Sequence, residues 1–229
     1  MNVILLGPPG AGKGTQATRL KAALNLPHIA SGDIFRAILR ENTPTAEEIR
    51  HYYEQGKYVP DELTIQLLLD RLHEPDAKQG FLLDGFPRTT AQAEALDRAL
   101  AREGRRVDSV ILLLAPEELL MRRIEGRLVC PHCGAVYNAA SNPPRVDGIC
   151  DVCGHLVERR SDEAPEVVRN RLHAYIQQTQ PLVEYYGACN CLAKIDASRS
   201  LDEVEEEIDT ALGLTGVDRR APARRTPAT

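Results

Sequence analysis

The chain contains no tryptophan, two methionines and three phenylalanines, and aromatics make up 4% of its 229 residues. The cysteine-bearing stretch 126–160 is nearly neutral and lacks the basic, aromatic-studded face that nucleic-acid modules use. Long apolar runs are also missing. No stretch approaches the roughly 20 residues of a membrane span, and the N-terminus has neither a basic n-region nor a small-residue cleavage site. A cytoplasmic protein with no membrane partner is expected. Positive charge is not in excess either: 28 Lys and Arg face 33 Asp and Glu, a net charge of −5. Residues 216–229 hold four arginines against one aspartate, so the rest of the chain is more acidic still. Such a body does not suit a general nucleic-acid binder. An NKxD guanine motif is absent, which argues against a GTPase switch. Lysine is scarce, with arginine outnumbering it 23 to 5. That bias suits bidentate phosphate contacts but makes no single arginine diagnostic.

What is present begins at the first residue. Met1–Leu6 reads as a short apolar strand, Gly7-Pro8-Pro9-Gly10-Ala11-Gly12-Lys13-Gly14-Thr15 follows, and Gln16–Leu24 has an amphipathic helical pattern. A strand that stops in a glycine-rich turn opening a helix is a phosphate cradle. Its N–H groups converge on an anion, the helix N-terminus adds positive potential, and Lys13 supplies a full charge. The general P-loop pattern has Ser or Thr directly after Lys. Here Gly14 takes that place and the hydroxyl comes at Thr15, an arrangement that resembles the GxPGxGKGT loop of the nucleoside monophosphate kinases.

Short apolar runs at Val3–Leu6, His28–Ala30, Phe81–Asp84, Val110–Leu114 and Cys191–Ile195 alternate with helical patterns at 14–24, 61–73, 89–102, 116–126, 162–187 and 201–212. This is the βαβ rhythm of an α/β fold with a five-stranded parallel sheet flanked by helices. Ligands of such sheets bind beyond the carboxyl ends of the strands, so the P-loop, Ser31 and Asp84-Gly85 should share one cleft. Two excursions interrupt the rhythm: residues 31–60 are helical without a strand, and residues 128–158 hold four cysteines among turn residues. Excursions of this kind act as lids. The tail from residue 215 has no apolar periodicity and reads as disordered.

Cys130-Pro-His-Cys133-Gly and Cys150-Asp-Val-Cys153-Gly are paired CxxC knuckles, a tetrahedral zinc pattern. Four thiolates close the shell, so the metal should be structural. It would supply folding energy to a segment with too few apolar residues for its own core. His132 and His155 adjoin the knuckles and are the alternative ligands. Cys189 and Cys191 read as a packed and a surface thiol without a chemical role.

Phe81–Asp84 is a buried strand ending in a carboxylate, where Asp84 can organise the water shell of Mg²⁺. Arg88 follows at the cleft rim. Ser31-Gly32-Asp33 opens a helix, with Ser31 as its N-cap and Asp33 in the first turn, and Arg36 lies one turn further. Arg123 and Arg127 share a helix face, and Arg160 and Arg171 flank the start of the next long helix. Together with the cradle these arginines make a plausible phosphate clamp.

GPPGAGKGT, SGDIFR, DGFPRT followed by Gln92, and the paired CxxC insertion, in that order, are similar to the adenylate kinase family in its long-lid, zinc-containing form. The resemblance covers about residues 1–214. It implies a P-loop kinase core (1–30, 60–125 and 164–214), a helical NMP-binding excursion at 31–59, a zinc-ribbon-like lid at 126–163, and an unassigned tail at 215–229. It implies a reversible transfer from Mg·ATP to AMP, in a monomer with no nucleic-acid partner. Gly10, Ala11, Gly12, Lys13, Gly14 and Thr15 would hold the ATP phosphates, Arg123 and Arg127 would grip ATP, and Val136, Tyr137 and Arg199 would lie near its base. Ser31, Arg36, Lys57, Tyr58, Val59, Gly85, Phe86, Pro87, Arg88 and Gln92 would form the AMP site, with Gln92 reading adenine. Arg160 and Arg171 would bridge toward AMP. Lys13, Asp84, Arg88, Arg123, Arg160 and Arg171 would serve catalysis, and Cys130, Cys133, Cys150 and Cys153 would hold the metal. Two departures stand out: Ser31 replaces a usual Thr, and Asp196-Ala197-Ser198 replaces an Asp-Gly turn. A related kinase with GTP or another monophosphate, and a zinc-ribbon nucleic-acid-binding NTPase, are the alternatives.

Overall fold

The alternation of apolar runs and helical patterns closes into one parallel sheet. The structure, a computed structural model, describes residues 1–160 and 163–214; the tail expected to be disordered lies outside them. Five strands, β1 (Asn2–Leu6), β2 (His28–Ala30), β3 (Phe81–Asp84), β4 (Ser109–Leu114) and β7 (Leu192–Asp196), run in the order β2-β3-β1-β4-β7. Every pairing among them is parallel. β1 sits in the middle, and its two faces feed two cores. Ile4 and Leu6 pack with Phe81, Leu83, Phe86, Leu96 and Tyr186 on one side. Val3 and Leu5 pack with Leu20, Leu82, Ile111, Ile195 and Ile208 on the other. A strand buried on both faces has no polar alternation to keep, which is why it reads as an unbroken apolar run.

Helices α1 (Lys13–Leu24) and α9 (Leu201–Ala211) cover one face. On the other lie α4 (Asp61–Leu72), α5 (Thr90–Arg102) and α8 (Leu182–Gly187). Two helices, α2 (Ser31–Ile38) and α3 (Pro44–Tyr53), stand off the sheet around a small core of Phe35, Ile49 and Val59. Pro44 takes the first position of α3 and the Thr43 hydroxyl accepts from the Ala46 N–H, so the proline starts this helix. After α6 (Glu117–Glu125) comes an antiparallel hairpin, β5 (Arg127–Val129) with β6 (Val136–Asn138), which carries the cysteine segment.

Two expectations are corrected. The helix expected to run through 162–187 is α7 (Pro165–Ala174), then a π turn over Tyr175–Thr179, then α8. Pro181 explains the break: it offers no N–H and its ring crowds the carbonyl four residues back. The Gln180 N–H instead reaches the Tyr175 carbonyl at 2.9 Å, the wider spacing of a π turn. Cys189 and Cys191, read as a packed and a surface thiol, have their sulfurs in contact with each other across the turn from α8 into β7.

Candidate active site

At the carboxyl end of β1 the chain turns through the glycine-rich loop into α1. Gly12 is the N-cap of α1 with φ 95°, a left-handed conformation that favours glycine, and no side chain caps the helix. Its first turn also carries no acidic residue. By contrast Thr43, Thr89 and Ser200 cap α3, α5 and α9. The start of α1 opens on the cleft with neither a side-chain cap nor an acidic residue, so its orphan N–H groups suit an anion. Lys13 Nζ donates to the carbonyls of Gly7 and Pro8 at 2.8 and 3.0 Å. Burial brings its pKa down to about 8. Asp84 opposes that shift, and Arg88 and Arg127 add to it.

At the end of β3, Asp84 stands 3.5 Å from His28 Nε2. Burial pushes its pKa up, but His28, Lys13 and Arg88 outweigh burial and hold the carboxyl below the usual range. It is an ionised oxygen donor beside the phosphate loop, the type that suits Mg²⁺. Asp84, Arg88 and Arg127 therefore all act on the charge of Lys13, and Lys13 and Arg88 on that of Asp84.

The Asp84–Arg88 turn meets α2. Ser31 was expected to cap α2, but it is the first helical residue, and Ala30 is the N-cap without a side-chain bond. The Ser31 hydroxyl donates to the Gly85 carbonyl instead, at 2.7 Å. Gly85 has φ 72°, and a Cβ there would lie 2.7 Å from Ser31 Oγ and 3.0 Å from Arg88 Nη2. Only glycine lets this turn approach so closely. Arg88 Nε donates to the Gly85 carbonyl, its Nη2 to Ser31 Oγ, and its guanidinium lies over the Tyr58 ring. Burial, with repulsion from Arg171, lowers its pKa against the pull of Tyr58 and Asp84. Phe86 and Pro87 are buried behind it. Gln92 is buried, with Oε1 accepting from the Arg88 N–H and Nε2 donating to Asp61. Each amide group retains a second hydrogen-bonding position. Of the residues between α3 and α4 expected in the AMP site, Lys57 is exposed and Val59 buried.

The remaining arginines arrive from separate elements. Arg36 bonds Asp33 and the Tyr53 hydroxyl, and Arg171 stacks over the same Tyr53 ring at 5.3 Å. Arg123, at the end of α6, is half-buried, and burial lowers its pKa. Arg127 and Arg160 both face Glu163, whose side chain is 8% exposed. Arg199 follows β7, 3.7 Å from Asp196. Asp196 Oδ1 accepts from the N–H and hydroxyl of Ser198, so a side-chain turn replaces the glycine turn. Glu163, Asp61 and Tyr53 are site neighbours that the sequence does not flag. Acids and a tyrosine on helical patterns look like solvated faces until the fold sets them beside arginines.

In the hairpin segment the four sulfurs of Cys130, Cys133, Cys150 and Cys153 lie within 4.8 Å of one another. Cys130–Cys153 and Cys133–Cys150 are 3.4 and 3.5 Å apart. Sulfurs at the corners of a tetrahedron around zinc stand about 3.8 Å apart, so the set fits that ion. The knuckles are built alike: Gly134 and Gly154 N–H donate to the Cys130 and Cys150 carbonyls. His132 and His155 stack at 3.8 Å on the outside and, with Cys153, form a second grouping. Tyr137, expected near a nucleotide base, turns its side chain into this core. Its hydroxyl lies 3.4 Å from Cys150 Sγ and accepts from the Asp151 N–H, while Val136 is exposed.

Comparison with known proteins places this geometry. The sequence model of a family described as Adenylate kinase matches residues 5–190. Proteins named adenylate kinase from Clostridium tetani, Thermoanaerobacter sp. (strain X514) and Lachnospira eligens are 48%, 50% and 47% identical over 213, 216 and 213 residues. These matches take in 93%, 94% and 93% of this chain and 99%, 100% and 100% of the relatives.

Proposed function

The chain belongs to the adenylate kinase family, enzymes that move phosphate reversibly between ATP and AMP to give ADP, and we propose that its cleft does so by positioning and charge neutralisation alone. The acceptor is a phosphate oxygen that is already anionic at neutral pH, so the transfer needs no general base. One bond breaks between the terminal phosphorus of ATP and its bridging oxygen, and one forms to an AMP phosphate oxygen. The obstacle is bringing two polyanions together, and fixed cations in a dry site oppose that repulsion best.

Lys13 and the amides of Gly10–Thr15 hold the donor phosphates. Arg36 and Arg88 hold the acceptor phosphate, with Ser31, Lys57–Val59, Gly85–Pro87 and Gln92 around the AMP nucleoside. Arg123 and Arg127 grip ATP, with Val136, the Tyr137 main chain and Arg199 toward its base. Arg160 and Arg171 bridge the two nucleotides. Asp84 would hold the water shell of Mg²⁺, which would supply charge neutralisation on the phosphates. Cys130, Cys133, Cys150 and Cys153 would hold a structural Zn²⁺. The excursion 31–59 and the lid 126–163 close over a core formed by 1–30, 60–125 and 164–214, excluding water.

The chain works as a cytoplasmic monomer on ATP and AMP, with neither nucleic acid nor membrane as partner. Its net charge of −5 supports that assignment, and no helix among the described residues is long and apolar enough to cross a membrane. The observation that carries the proposal is the phosphate loop at the end of β1, with Lys13 donating to the Gly7 and Pro8 carbonyls beside the Gly85–Arg88–Ser31 turn at the end of β3. The test measures ADP formed from ATP across a panel of nucleoside monophosphates, with metal analysis of the same sample. AMP should be strongly preferred. Arg88→Ala should lose about 10²–10³-fold in kcat/KM, and Arg102→Ala, an exposed change, should lose nothing. Full activity in Arg88→Ala would refute the clamp.

A further inference from the structure

Thr179 closes the π turn at Tyr175–Thr179. Single π turns inside α-helices concentrate at functional sites. One such turn shifts the helical phase by about one residue, roughly 100°, and so decides which side chain faces inward. Thr179 is 5% exposed, whereas its neighbours Gln178 and Gln180 are exposed.

The buried hydroxyl has two partners. Thr179 Oγ1 donates to the Arg88 carbonyl at 2.8 Å. A hydroxyl carries one proton, so its second contact, with the Tyr58 hydroxyl at 2.9 Å, runs the other way: Tyr58 donates and Thr179 accepts. The result is a directed chain, Tyr58 O–H to Thr179 O–H to Arg88 C=O, whose bonds polarise one another. Its two ends meet again, because the Arg88 guanidinium lies 4.9 Å above the centre of the Tyr58 ring. Three segments far apart in sequence thus form a closed ring of contacts. Tyr58 sits on the strap joining α3 to α4, Arg88 on the turn after β3, and Thr179 on the core.

We propose that Thr179 is a positioning residue for transfer to AMP. It fixes the main chain of Arg88 and the ring of Tyr58 together. It thereby ties the guanidinium that grips the acceptor phosphate to the strap of the excursion that closes over the acceptor. Thr179 touches no substrate; it acts through Arg88 and Tyr58. The inference rests on Arg88 being an acceptor-phosphate ligand.

The test compares Thr179→Val, which keeps the shape and removes the hydroxyl, with Thr179→Ser, which restores it. Initial rates are taken well below each variant's melting temperature, varying AMP and ATP separately, with AMP binding measured by calorimetry. Thr179→Val should raise KM and Kd for AMP by about five- to fifty-fold and lower kcat. KM for ATP should move less than twofold, and Thr179→Ser should recover most of the loss. Tyr58→Phe removes the outer bond without touching the core and keeps the measurement alive should Thr179→Val fail to fold. It should raise KM for AMP to a lesser degree, and in the Thr179→Val background it should add nothing. A folded Thr179→Val with a lower melting temperature and unchanged AMP constants would overturn the inference, as would equal rises in both KM values. If Arg88→Ala is also fully active, the parent assignment fails. If Arg88→Ala is inactive while Thr179→Val is normal, only the role of Thr179 falls.

Discussion

Lys13 is under two opposed requirements. It must be charged to meet phosphate, yet it is enclosed beside Arg88 and Arg127, and its pKa sits at about 8 against an ordinary 10.5. The sign of the consequence follows. Without an anion the ammonium sheds its proton as pH rises through about 8, whereas a bound phosphate favours the charged form. So kcat/KM for ATP should fall above about pH 8, and the limb in kcat should lie at higher pH because the complex holds the proton. Parallel pH–rate profiles with ATP varied check this, and coincident limbs would contradict it. Stability moves oppositely. Between about pH 8 and 10.5 the unfolded chain keeps a proton that the folded one has lost, so this group's contribution to stability rises with pH. Gly85 is the second residue whose effect can be stated in advance. With φ 72° and only 2.7 Å from a would-be Cβ to Ser31 Oγ, Gly85→Ala should cost about 1–3 kcal/mol and raise KM for AMP more than KM for ATP. Denaturant melts and separate substrate titrations check both halves.

Elements differ in what holds their ends. In α9 Ser200 and Glu203 form a complete capping box, and Ser200→Ala should cost about 1 kcal/mol of stability at unchanged kcat. In α1 the cap is missing and the phosphate loop stands in its place. The cysteine segment has a core of only Cys130, Tyr137 and Cys150, with four part-buried apolar neighbours. Its order must come from metal, with apparent energies on the order of 10 kcal/mol for comparable sites. Chelation should therefore lower the melting temperature clearly while leaving activity in the cold less affected, and metal analysis should return one zinc per chain; a melt indifferent to chelator would rule out a structural ion. The sheet, the P-loop and the knuckles were legible because each is a local pattern: an apolar run, a glycine spacing, a CxxC pair. The rest was not local. Ser31 looks like a cap, but the Gly85 carbonyl, 54 residues away, claims its hydroxyl. Tyr137 has its hydroxyl beside the Cys150 sulfur of its own segment, a contact that no local pattern announces. The helix expected over 162–187 breaks because Pro181 outweighs a strong apolar period. Asp61 and Glu163 acquire meaning only when folding brings Gln92, Arg127 and Arg160 to them.

At the scale of the whole molecule the question is how an acidic chain, net charge −5, holds a cluster of cations and still closes around anions. On the proposed division of the chain, the cations are distributed over three parts: Lys13 and Arg88 beyond the carboxyl ends of β1 and β3, Arg36 on the excursion, Arg127 and Arg160 on the lid. Each half-site keeps its own counter-charge, Asp33 for Arg36 and Glu163 for the lid pair, so no part carries naked repulsion before the parts meet. Besides the Tyr58–Thr179 bond, the excursion meets the core at a close backbone contact. Gly56 has φ 69°, a Cβ there would lie 2.5 Å from the Val167 carbonyl of α7, and Asn170 donates to the adjacent Gln55 carbonyl at 2.9 Å. A side chain at 56 cannot be absorbed by a rotamer change, because the obstacle is backbone. Gly56→Ala must then push the excursion off α7, at a cost of about 1–3 kcal/mol. Since α7 also carries Arg171, displacing the excursion separates Tyr53, the partner of Arg36, from Arg171. KM for AMP should rise several-fold, with KM for ATP unchanged, because the phosphate loop and lid are attached elsewhere. Equal effects on both substrates would mean that the excursion and the lid do not move as independent bodies.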